Sequence, residues 1–207
     1  YKLADMMFKG KDLKDIIVHS EEGISFISGG SGINNFGDLS KDQVIYLVHK
    51  IKELEDEVGG LRKFVNSDLN EFSYVIGTVK YRDLYKFNEE IVIDVSDVSK
   101  GDAVVNSEGL VGIVVSDKGN VKLLTSTYNV SVSIGECYGN LSNGSVDMID
   151  KECNVSEGDK VYTSGLGNIV KGIYVGDVSK VDNDSLGLVL SIDLIDNSNL
   201  NYVGVIK

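Results

Sequence analysis

A serine in a glycine-rich bend is the first candidate for chemistry in this chain. Ser164 lies in the stretch Thr163-Ser164-Gly165, and a hydroxyl in such a bend could act as a nucleophile in acyl transfer. A serine nucleophile needs a neighbouring base and a third group that orients the base. The two histidines, His19 and His49, lie far from Ser164 in sequence, and the pattern Gly-x-Ser-x-Gly is absent around it. We therefore interpret Ser164 as a turn residue whose hydroxyl bonds the backbone.

A group of acidic and amide residues resembles part of a calcium site. Asp182, Asn183, Asp184 and Asp193 supply oxygens, but Leu186 replaces one ligand, and predicted strands rather than helices flank the segment. No stretch matches the phosphate-binding loop Gly-x4-Gly-Lys-Ser/Thr. We interpret the acidic segment as a solvated hairpin turn and expect neither a metal nor a cofactor.

The two cysteines are open to two interpretations. Cys137 and Cys153 lie sixteen positions apart, without the CxxC spacing or the accompanying histidines of a zinc site. One pair does not make a disulfide scaffold in a chain of this size. We favour two separate core thiols over a disulfide, and whether they pair stays open at this point.

The charge of the chain argues against one class of partner. The chain carries 20 Lys and Arg residues against 32 Asp and Glu residues, a net charge of -12 over 207 residues. Such a field repels phosphates, so nucleic acid is not an expected partner. The hydrophobic fraction of 42% is ordinary for a packed core, and no window is apolar enough to cross a bilayer.

A glycine phrase occurs twice in the second half of the chain. The first copy begins at Gly101-Asp102 and the second at Gly158-Asp159, and each leads through a short apolar strand into a Ser/Gly bend and another strand. A repeated supersecondary unit predicts duplicated β-modules. Because the chain contains no proline, its bends depend on glycine, Asn and Asp. The residues that we assign to structural barrel turns are Gly101, Gly109, Gly112, Gly158, Ser164, Gly165, Gly167, Gly172 and Gly176.

Short, β-branched segments bounded by turns follow one another from Phe72 onward. Half-buried antiparallel strands with a repeated turn predict two small closed or nearly closed β-barrels, because closure removes exposed strand edges. The predicted fold is therefore mainly β, with a two-barrel region over residues 68–207. The predicted strands are 74–81, 90–95, 110–115, 121–125, 130–134, 145–149, 172–181, 186–193 and 202–206.

A long amphipathic helix, predicted within residues 38–67, precedes the barrels. Ser40 and Gln43 form a capping-box pattern at its start. Its apolar residues alternate at spacings of three and four, with β-branched residues at a and leucine at d, which favours a parallel two-stranded coiled coil. The residues of this predicted dimer seam are Val44, Leu47, Ile51, Leu54, Val58, Leu61 and Val65.

Charged residues beside the seam agree with a parallel homodimer. Lys50 at g faces Glu55 at e of a partner chain, and Glu57 at g faces Arg62 in the same way. An amphipathic helix folded back on its own β-domain would show a similar apolar stripe, and this alternative stays open.

Glycines interrupt both the helix and the segment before it. Gly59 and Gly60 each cost on the order of 1 kcal/mol relative to alanine inside a helix, so we expect a weak isolated coil and a bend. Residues 1–37 hold apolar residues at roughly helical spacing and then Ser28-Gly29-Gly30-Ser31-Gly32. This pattern predicts a helical lead-in followed by a flexible joint.

The order of helix, short coil and glycine-punctuated strands resembles the MreC family of rod shape-determining proteins. The likeness spans roughly residues 40–207. This chain departs from the family pattern at Val170-Lys171, where a Phe-Pro-like pair is usual, and in the turn between residues 94 and 101, which lacks a glycine. The matching segments are 91–94, 109–112, 121–125, 158–167 and 172–176.

The resemblance implies a bitopic bacterial membrane protein whose anchor would precede residue 1 and whose coil and barrels lie outside the cytoplasmic membrane. Family members are morphogenetic scaffolds of the peptidoglycan-synthesis complex, so the implied partners are MreD, MreB, RodA and class B penicillin-binding proteins. No enzymatic activity and no cofactor are implied. An extracytoplasmic hydrolase-like double barrel and a surface adhesion module are the alternatives.

Overall fold

The computed structural model describes residues 1–20, 25–28, 40–65, 67–184 and 187–207. The chain divides into two compact units, Tyr1–Gly59 and Gly60–Lys207, which we treat separately. Most of the predicted flexible joint at residues 28–32 lies outside the described residues, as does Leu186, the predicted first residue of one strand.

Short elements precede the long helix in the first unit. They are helices α1 (Leu3–Lys9) and α2 (Leu13–Ile16) and the antiparallel hairpin of strands β1 (Ile17–His19) and β2 (Ser25–Ile27). Helix α1 ends at Gly10, whose φ of 66° is typical of a helix C-cap. The sequence predicts helix throughout this lead-in, but the β-branched Ile17 and Val18 favour an extended strand that pairs with β2.

The long helix α3 (Lys41–Val65) begins at the predicted capping box. The Gln43 N–H donates to Ser40 Oγ at 3.3 Å, and the Ser40 N–H donates to Gln43 Oε1 at 2.9 Å. These two bonds satisfy backbone groups that the helix start leaves without partners. The helix continues through Gly59 and Gly60 without a break in its hydrogen bonding.

A small apolar core stabilises the first unit. It is made of buried side chains from α1 and α2, and two half-buried leucines of α3, Leu47 and Leu54, pack against it. These leucines are d positions of the predicted seam, so the lead-in covers part of that seam within a single chain. The core side chains are Leu3, Met6, Leu13 and Ile16.

The second unit contains two closed barrels of six antiparallel strands each. The twelve strands of this unit are β3 (Tyr74–Arg82), β4 (Glu90–Asp94), β5 (Ala103–Val105), β6 (Leu110–Val114), β7 (Asn120–Leu123), β8 (Val130–Ile134), β9 (Cys137–Ser142), β10 (Ser145–Ile149), β11 (Lys160–Thr163), β12 (Tyr174–Asn183), β13 (Leu188–Leu194) and β14 (Tyr202–Ile206). The first barrel has the strand order β14-β3-β4-β7-β6-β5, and the second has the order β10-β13-β12-β11-β8-β9.

The two barrels have the same cyclic order of strands. The second barrel uses six consecutive strands, β8 to β13, whereas the first takes β3 to β7 and closes with β14 from the end of the chain. If β14 is placed where β8 stands, the neighbour order of the two barrels becomes identical. The second barrel is therefore an insertion between β7 and β14 of the first.

The repeated phrase folds into the same serine–aspartate turn in both barrels. The Ser99 N–H donates to Asp102 Oδ2 at 2.8 Å, and the Ser156 N–H donates to Asp159 Oδ2 at 2.8 Å. The aspartate N–H donates back to the serine carbonyl at 3.1 Å in the first copy and 3.2 Å in the second. Both turns are therefore closed by the aspartate side chain, as is typical of local Asx hydrogen bonding.

A glycine precedes the aspartate in each turn, and its N–H bonds the turn to a strand of the same barrel, β6 in the first and β12 in the second. The N–H groups of Gly101 and Gly158 donate to the carbonyls of Val114 and Val178, each at 2.8 Å. The φ angles of Gly101 and Gly158 are 104° and 89°, a region that side chains with a Cβ rarely adopt. The repetition in sequence thus corresponds to a repetition of backbone geometry.

Apolar contacts join the two barrels. The apolar cluster of the second barrel continues into the first through Leu110 and Ile113 of β6, and a separate cluster fills the rest of the first barrel. The buried Gly109 lies against the backbone carbonyl of Tyr174, and a Cβ at this position would overlap that carbonyl. A glycine is therefore needed where the two barrels approach each other.

The last turns of α3 pack on the first barrel. A Cβ built on Gly60 would lie 2.6 Å from Cδ2 of Tyr202 in β14, which is closer than real Cβ contacts. The Phe64 and Tyr74 rings lie 5.8 Å apart, and the Tyr74 hydroxyl donates to the Phe64 carbonyl at 3.3 Å. The end of the helix is thereby fixed to the strands that close the barrel.

Cys137 and Cys153 form a disulfide in the second barrel, so the expectation of two separate thiols is wrong. The sequence misses strand β9, which begins at Cys137 and pairs with both β8 and β10. The chain then returns past β10 and brings Cys153 to a Cα–Cα distance of 6.0 Å from Cys137, within the usual range for a disulfide.

The two glycines of α3 allow a matched test of the contact with Tyr202. Gly59 has no atom within 4 Å of a built Cβ, whereas the Cβ of an alanine at position 60 would meet the Tyr202 ring. Both G59A and G60A gain about 1 kcal/mol of helix propensity. We expect G60A to be less stable than G59A by about 1–3 kcal/mol because of overpacking. Urea unfolding measures the difference, and equal stability of the two variants would contradict this packing.

The disulfide closes a loop of moderate length in the second barrel. In C137S/C153S the unfolded chain regains that freedom, so we expect the free energy of unfolding to fall by about 2–4 kcal/mol. Urea unfolding of the oxidised protein and of the double variant measures the loss. An unchanged unfolding midpoint would show that the bond does not constrain the barrel.

Candidate interaction surfaces

The a positions of the predicted seam are exposed on α3. Val44, Ile51 and Val58 are 41%, 41% and 44% exposed in the single chain. The d leucines Leu47 and Leu54 are half-buried by the lead-in, as described above. The first unit therefore presents an apolar stripe along its helix, next to leucines that its own core partly covers.

The remaining seam and flanking residues lie as follows. Leu61 is half-buried in the second unit, and the side chain of Val65 lies outside the described residues. Lys50 Nζ lies 2.8 Å from Glu53 Oε2 in the same chain, and this hydrogen bond raises the pKa of Lys50. The other residues of the predicted inter-chain charge pairs, Glu55, Glu57 and Arg62, are exposed.

Ser164 is buried in a network of turn hydrogen bonds. Its hydroxyl donates to Ser131 Oγ at 2.9 Å and accepts from the Leu166 N–H at 3.0 Å. Its own N–H donates to the Ser131 carbonyl at 3.1 Å. These partners fix the bend between β11 and the following loop, and none of them is a base that could activate a nucleophile.

The glycines assigned to barrel turns fall into two groups. Gly109, Gly112 and Gly176 lie against the backbone carbonyls of neighbouring strands, where a Cβ does not fit. The other group adopts positive φ angles and consists of Gly101, Gly158, Gly165, Gly167 and Gly172.

The tip of the β3–β4 hairpin is a cluster of exposed apolar side chains that the sequence analysis did not single out. Leu84 is 86% exposed and Tyr85 is 99% exposed. Tyr81 and Phe87 are exposed beside them. We call these four residues the hairpin tip. Large apolar side chains this exposed in a described turn are typical of interaction sites.

Arg82 holds the hairpin tip in place. Its guanidinium lies 3.6 Å from the centre of the Phe87 ring, and its Nε donates to the Phe87 carbonyl at 2.8 Å. Its Nη1 donates to the Asn197 carbonyl at 2.6 Å, and its Nη2 donates to Asn197 Oδ1 at 3.1 Å. The Tyr85 N–H donates to Asp83 Oδ1 at 2.7 Å. The exposed side chains therefore project from a braced turn, which lowers the entropy cost of binding.

A cross-strand ion pair braces the base of the hairpin. Glu90 of β4 lies opposite Lys122 of β7, and Lys122 Nζ is 3.0 Å from Glu90 Oε2. The hydrogen bond from Lys122 lowers the pKa of Glu90, while burial opposes the shift. The Thr125 hydroxyl also donates to the carbonyl of Asn88 in the turn. These contacts tie the hairpin to the barrel wall.

Apolar residues in a turn segment are a sequence signal for the hairpin tip. Leu84, Tyr85 and Phe87 stand between two predicted strands, in a segment where turn residues are normally polar. Large apolar residues in a turn have no core to enter, so they indicate a contact with another molecule. The bracing by Arg82 could not be read from sequence, because Asn197 lies more than a hundred residues away in the chain.

Comparison with known proteins identifies the family. The family model "Rod shape-determining protein MreC, barrel core" matches residues 79–207. The cell shape-determining protein MreC of Listeria monocytogenes is 27% identical over 237 residues, which cover 94% of this chain and 79% of that protein. The solved structure of MreC from Listeria monocytogenes is 25% identical with a TM-score of 0.62, covering 80% of this chain and 91% of that one.

Two more distant structures share the fold. MreC from Pseudomonas aeruginosa is 23% identical with a TM-score of 0.56, covering 65% of this chain and 99% of that one. The same TM-score, 0.56, relates this chain to a structure of a complex between penicillin-binding protein PBP2 and MreC from Helicobacter pylori, at 21% identity and with 66% and 99% of the two chains covered.

Among the described residues, no helix is both long enough and apolar enough to cross a bilayer. The barrel order, the duplicated turns and the matches over both barrels lead to one assignment: the chain belongs to the MreC family of rod shape-determining proteins.

Proposed function

We propose that this protein is a non-enzymatic scaffold of the bacterial cell-wall elongation complex, which pairs with a second copy through α3 and binds synthesis proteins through its barrels. Membership of a shape-determining family supports the cellular role. The observation that carries the proposal is the presence of two exposed apolar surfaces, the stripe on α3 and the hairpin tip of the first barrel.

The stripe supports pairing of two parallel chains. Val44, Ile51 and Val58 occupy a positions and expose apolar surface that a second helix would bury. The half-buried Leu47 and Leu54 retain some surface beside them. A short seam gives weak pairing in solution, whereas tethering two chains to one membrane raises their effective concentration.

The hairpin tip supports binding of a class B penicillin-binding protein. Exposed tyrosine and leucine on a rigid support are typical of interface hot spots, which fill apolar pockets of a partner. A relative from Helicobacter pylori has been solved in complex with PBP2, so a protein with this fold can bind such a partner. By family resemblance the further partners are MreD, MreB and RodA, and the barrels of this protein would lie outside the cytoplasmic membrane.

A hydrolase function has less support. The Ser164 hydroxyl is buried and bonded to Ser131 and to the Leu166 N–H, an arrangement that stabilises a turn rather than a nucleophile. We therefore assign no catalytic role to this residue.

Two isoleucines of α3 provide a matched test of pairing. Ile51 lies on the stripe at an a position, and Ile45 lies at a b position, with exposures of 41% and 47%. We expect I51D to weaken dimer formation at least about tenfold, because it places a charge in an apolar seam, and I45D to leave it unchanged. Sedimentation velocity over a concentration series measures the dimer fraction.

The comparison of I51D with I45D shows which face of α3 forms the dimer. Leu54 is a less clean probe than Ile51, because Leu54 also packs on the core of the lead-in. Equal dimer fractions for I51D, I45D and the unaltered chain would remove the a positions from the interface. Loss of the dimer in both variants would place the contact on the other side of the helix as well.

Two tyrosines test the hairpin tip in the same way. Tyr85 is 99% exposed on the hairpin tip, whereas Tyr138 is 49% exposed on the second barrel. We expect Y85S to weaken binding to the purified ectodomain of the organism's class B penicillin-binding protein about 30-fold, the cost of one hot-spot residue. Y138S should bind like the unaltered chain, and biolayer interferometry measures all three affinities.

Tyr85 is almost fully exposed, so the thermal midpoint of Y85S should be unchanged, and the thermal midpoint of Y138S checks that this control variant is folded. Binding that is unaffected by Y85S, or that is reduced as strongly by Y138S, would exclude the hairpin tip as the binding surface.

A further inference from the structure

The repeated glycine phrase lines a groove that the dimer and the hairpin tip do not use. Gly101, at the start of the first copy, and Gly167, at the end of the second, both border it. An alanine Cβ at position 101 would lie 3.5 Å from Cβ of Asn168. The groove therefore runs between a turn of the first barrel and a turn of the second, and its volume of about 640 Å³ is in the usual range of small-molecule sites.

Amide and hydroxyl side chains supply most of the polar lining. Asn129, Asn140 and Asn168 line the groove together with Ser131. Asn140 Nδ2 donates to Asn129 Oδ1 at 3.2 Å. This bond orients the two amides relative to each other, and it leaves the Asn129 NH₂ and the Asn140 side-chain oxygen as a donor and an acceptor for further hydrogen bonds.

The turn that carries Asn168 is held at both ends. The Leu166 N–H donates to Ser164 Oγ at 3.0 Å, and Ser164 is bonded to Ser131. The Thr163 hydroxyl donates to the Val170 carbonyl at 2.6 Å and accepts from the Ile173 N–H at 2.9 Å. This side of the groove is therefore preorganised, which reduces the entropy cost of binding.

The charge of the lining is unusual for this protein. Lys100 is the one charged residue among the described residues that border the groove, although the chain as a whole carries a net charge of -12. A site without carboxylates is poorly suited to cations, and one lysine is too few for a nucleotide polyphosphate. The lining therefore suits a neutral polar ligand.

The fold also argues against an extended peptide. Peptides that bind by adding a strand need an exposed sheet edge, and both barrels are closed among the described strands. The groove instead combines amides, which offer a donor and an acceptor side by side, with apolar surface from Tyr128 and the exposed Leu166. Sugars present this combination, since their hydroxyls both donate and accept and their ring C–H faces pack on aromatic and aliphatic side chains.

We propose that this inter-barrel groove, lined by Asn129, Asn140, Asn168 and Tyr128, binds a neutral oligosaccharide. The site is independent of α3 pairing and of the hairpin tip. Its amides come from the second barrel and the segment that leads into it, whereas Lys100 and Gly101 of the first barrel border the facing side.

An NMR titration of the full chain tests the proposal, with tetra-N-acetylchitotetraose and maltotetraose as probes. We expect saturable shifts of the backbone amides around Gly101, Gly167 and Asn168, with a dissociation constant of about 1 mM or tighter for one of the two sugars. The comparison between the sugars shows whether the N-acetyl groups contribute.

Matched asparagine variants distinguish a built site from weak surface contact. N140A and N168A each remove an amide from the groove and should weaken binding about three- to tenfold, the loss of one neutral hydrogen bond. N201A alters an exposed asparagine outside the groove and should bind normally. L166S gives a second test, because it removes apolar surface from the groove. Unchanged dispersion of the backbone amide chemical shifts shows that each variant is folded.

Three results would overturn the proposal. The first is the absence of saturable shifts with both sugars up to about 10 mM, a concentration well above the dissociation constant expected for a functional site. The second is binding that N140A and N168A reduce no more than N201A does. The third is saturable shifts of the same amides with trialanine, titrated as a third probe, but with neither sugar. Each of these leaves the dimer and the hairpin tip untouched, so failure here is distinguishable from failure of the proposed function.

Discussion

Closure of the first barrel by the C-terminal strand is the constraint on which the rest of the second unit depends. Strand β14 pairs with β3 on one side and with β5 on the other, so without it both would become open edges. The same strand packs against the end of α3, because a Cβ built on Gly204 would lie 3.2 Å from Cε1 of Phe64 and one built on Gly60 would meet the Tyr202 ring. The helix end, the first barrel and the point where the chain returns from the second barrel therefore meet at β14.

The inserted second barrel follows from this arrangement. The chain leaves the first barrel after β7, completes a whole barrel and returns in time to supply β14. Because the two circuits have the same strand order and the same serine–aspartate turn, the barrels are two versions of one module that differ in where the chain enters. Gly109 then allows the two modules to touch closely, and the apolar core continues from one into the other. The hairpin tip is consequently presented from a braced barrel rather than from an independent loop.

The fold could be predicted largely from sequence because its signals are local. The alternation in segments such as 130–134, the paired Gly-Asp turns and the capping box at Ser40 each reflect interactions between near neighbours. The β1–β2 hairpin and the disulfide were missed because both depend on pairing that segment patterns do not show. Strand β9, Cys-Tyr-Gly-Asn-Leu-Ser, has neither β-branched residues nor regular alternation, so only its position between β8 and β10 makes it a strand. The bracing of the hairpin tip by Arg82 and Asn197 was out of reach for the same reason.

The proposed role as a paired scaffold requires that two α3 helices pair in parallel and in register. The most direct measurement is the distance between spin labels attached to a cysteine that replaces Asp42, near the start of α3 and outside the predicted seam. Parallel pairing predicts a single short distance of about 20–30 Å, because paired helix axes lie about 8–10 Å apart. An antiparallel pair would add up to about 30 Å, since each residue of a helix adds about 1.5 Å along its axis. A long distance of that kind, or the absence of any inter-chain distance at concentrations where the chain is paired, would contradict the account.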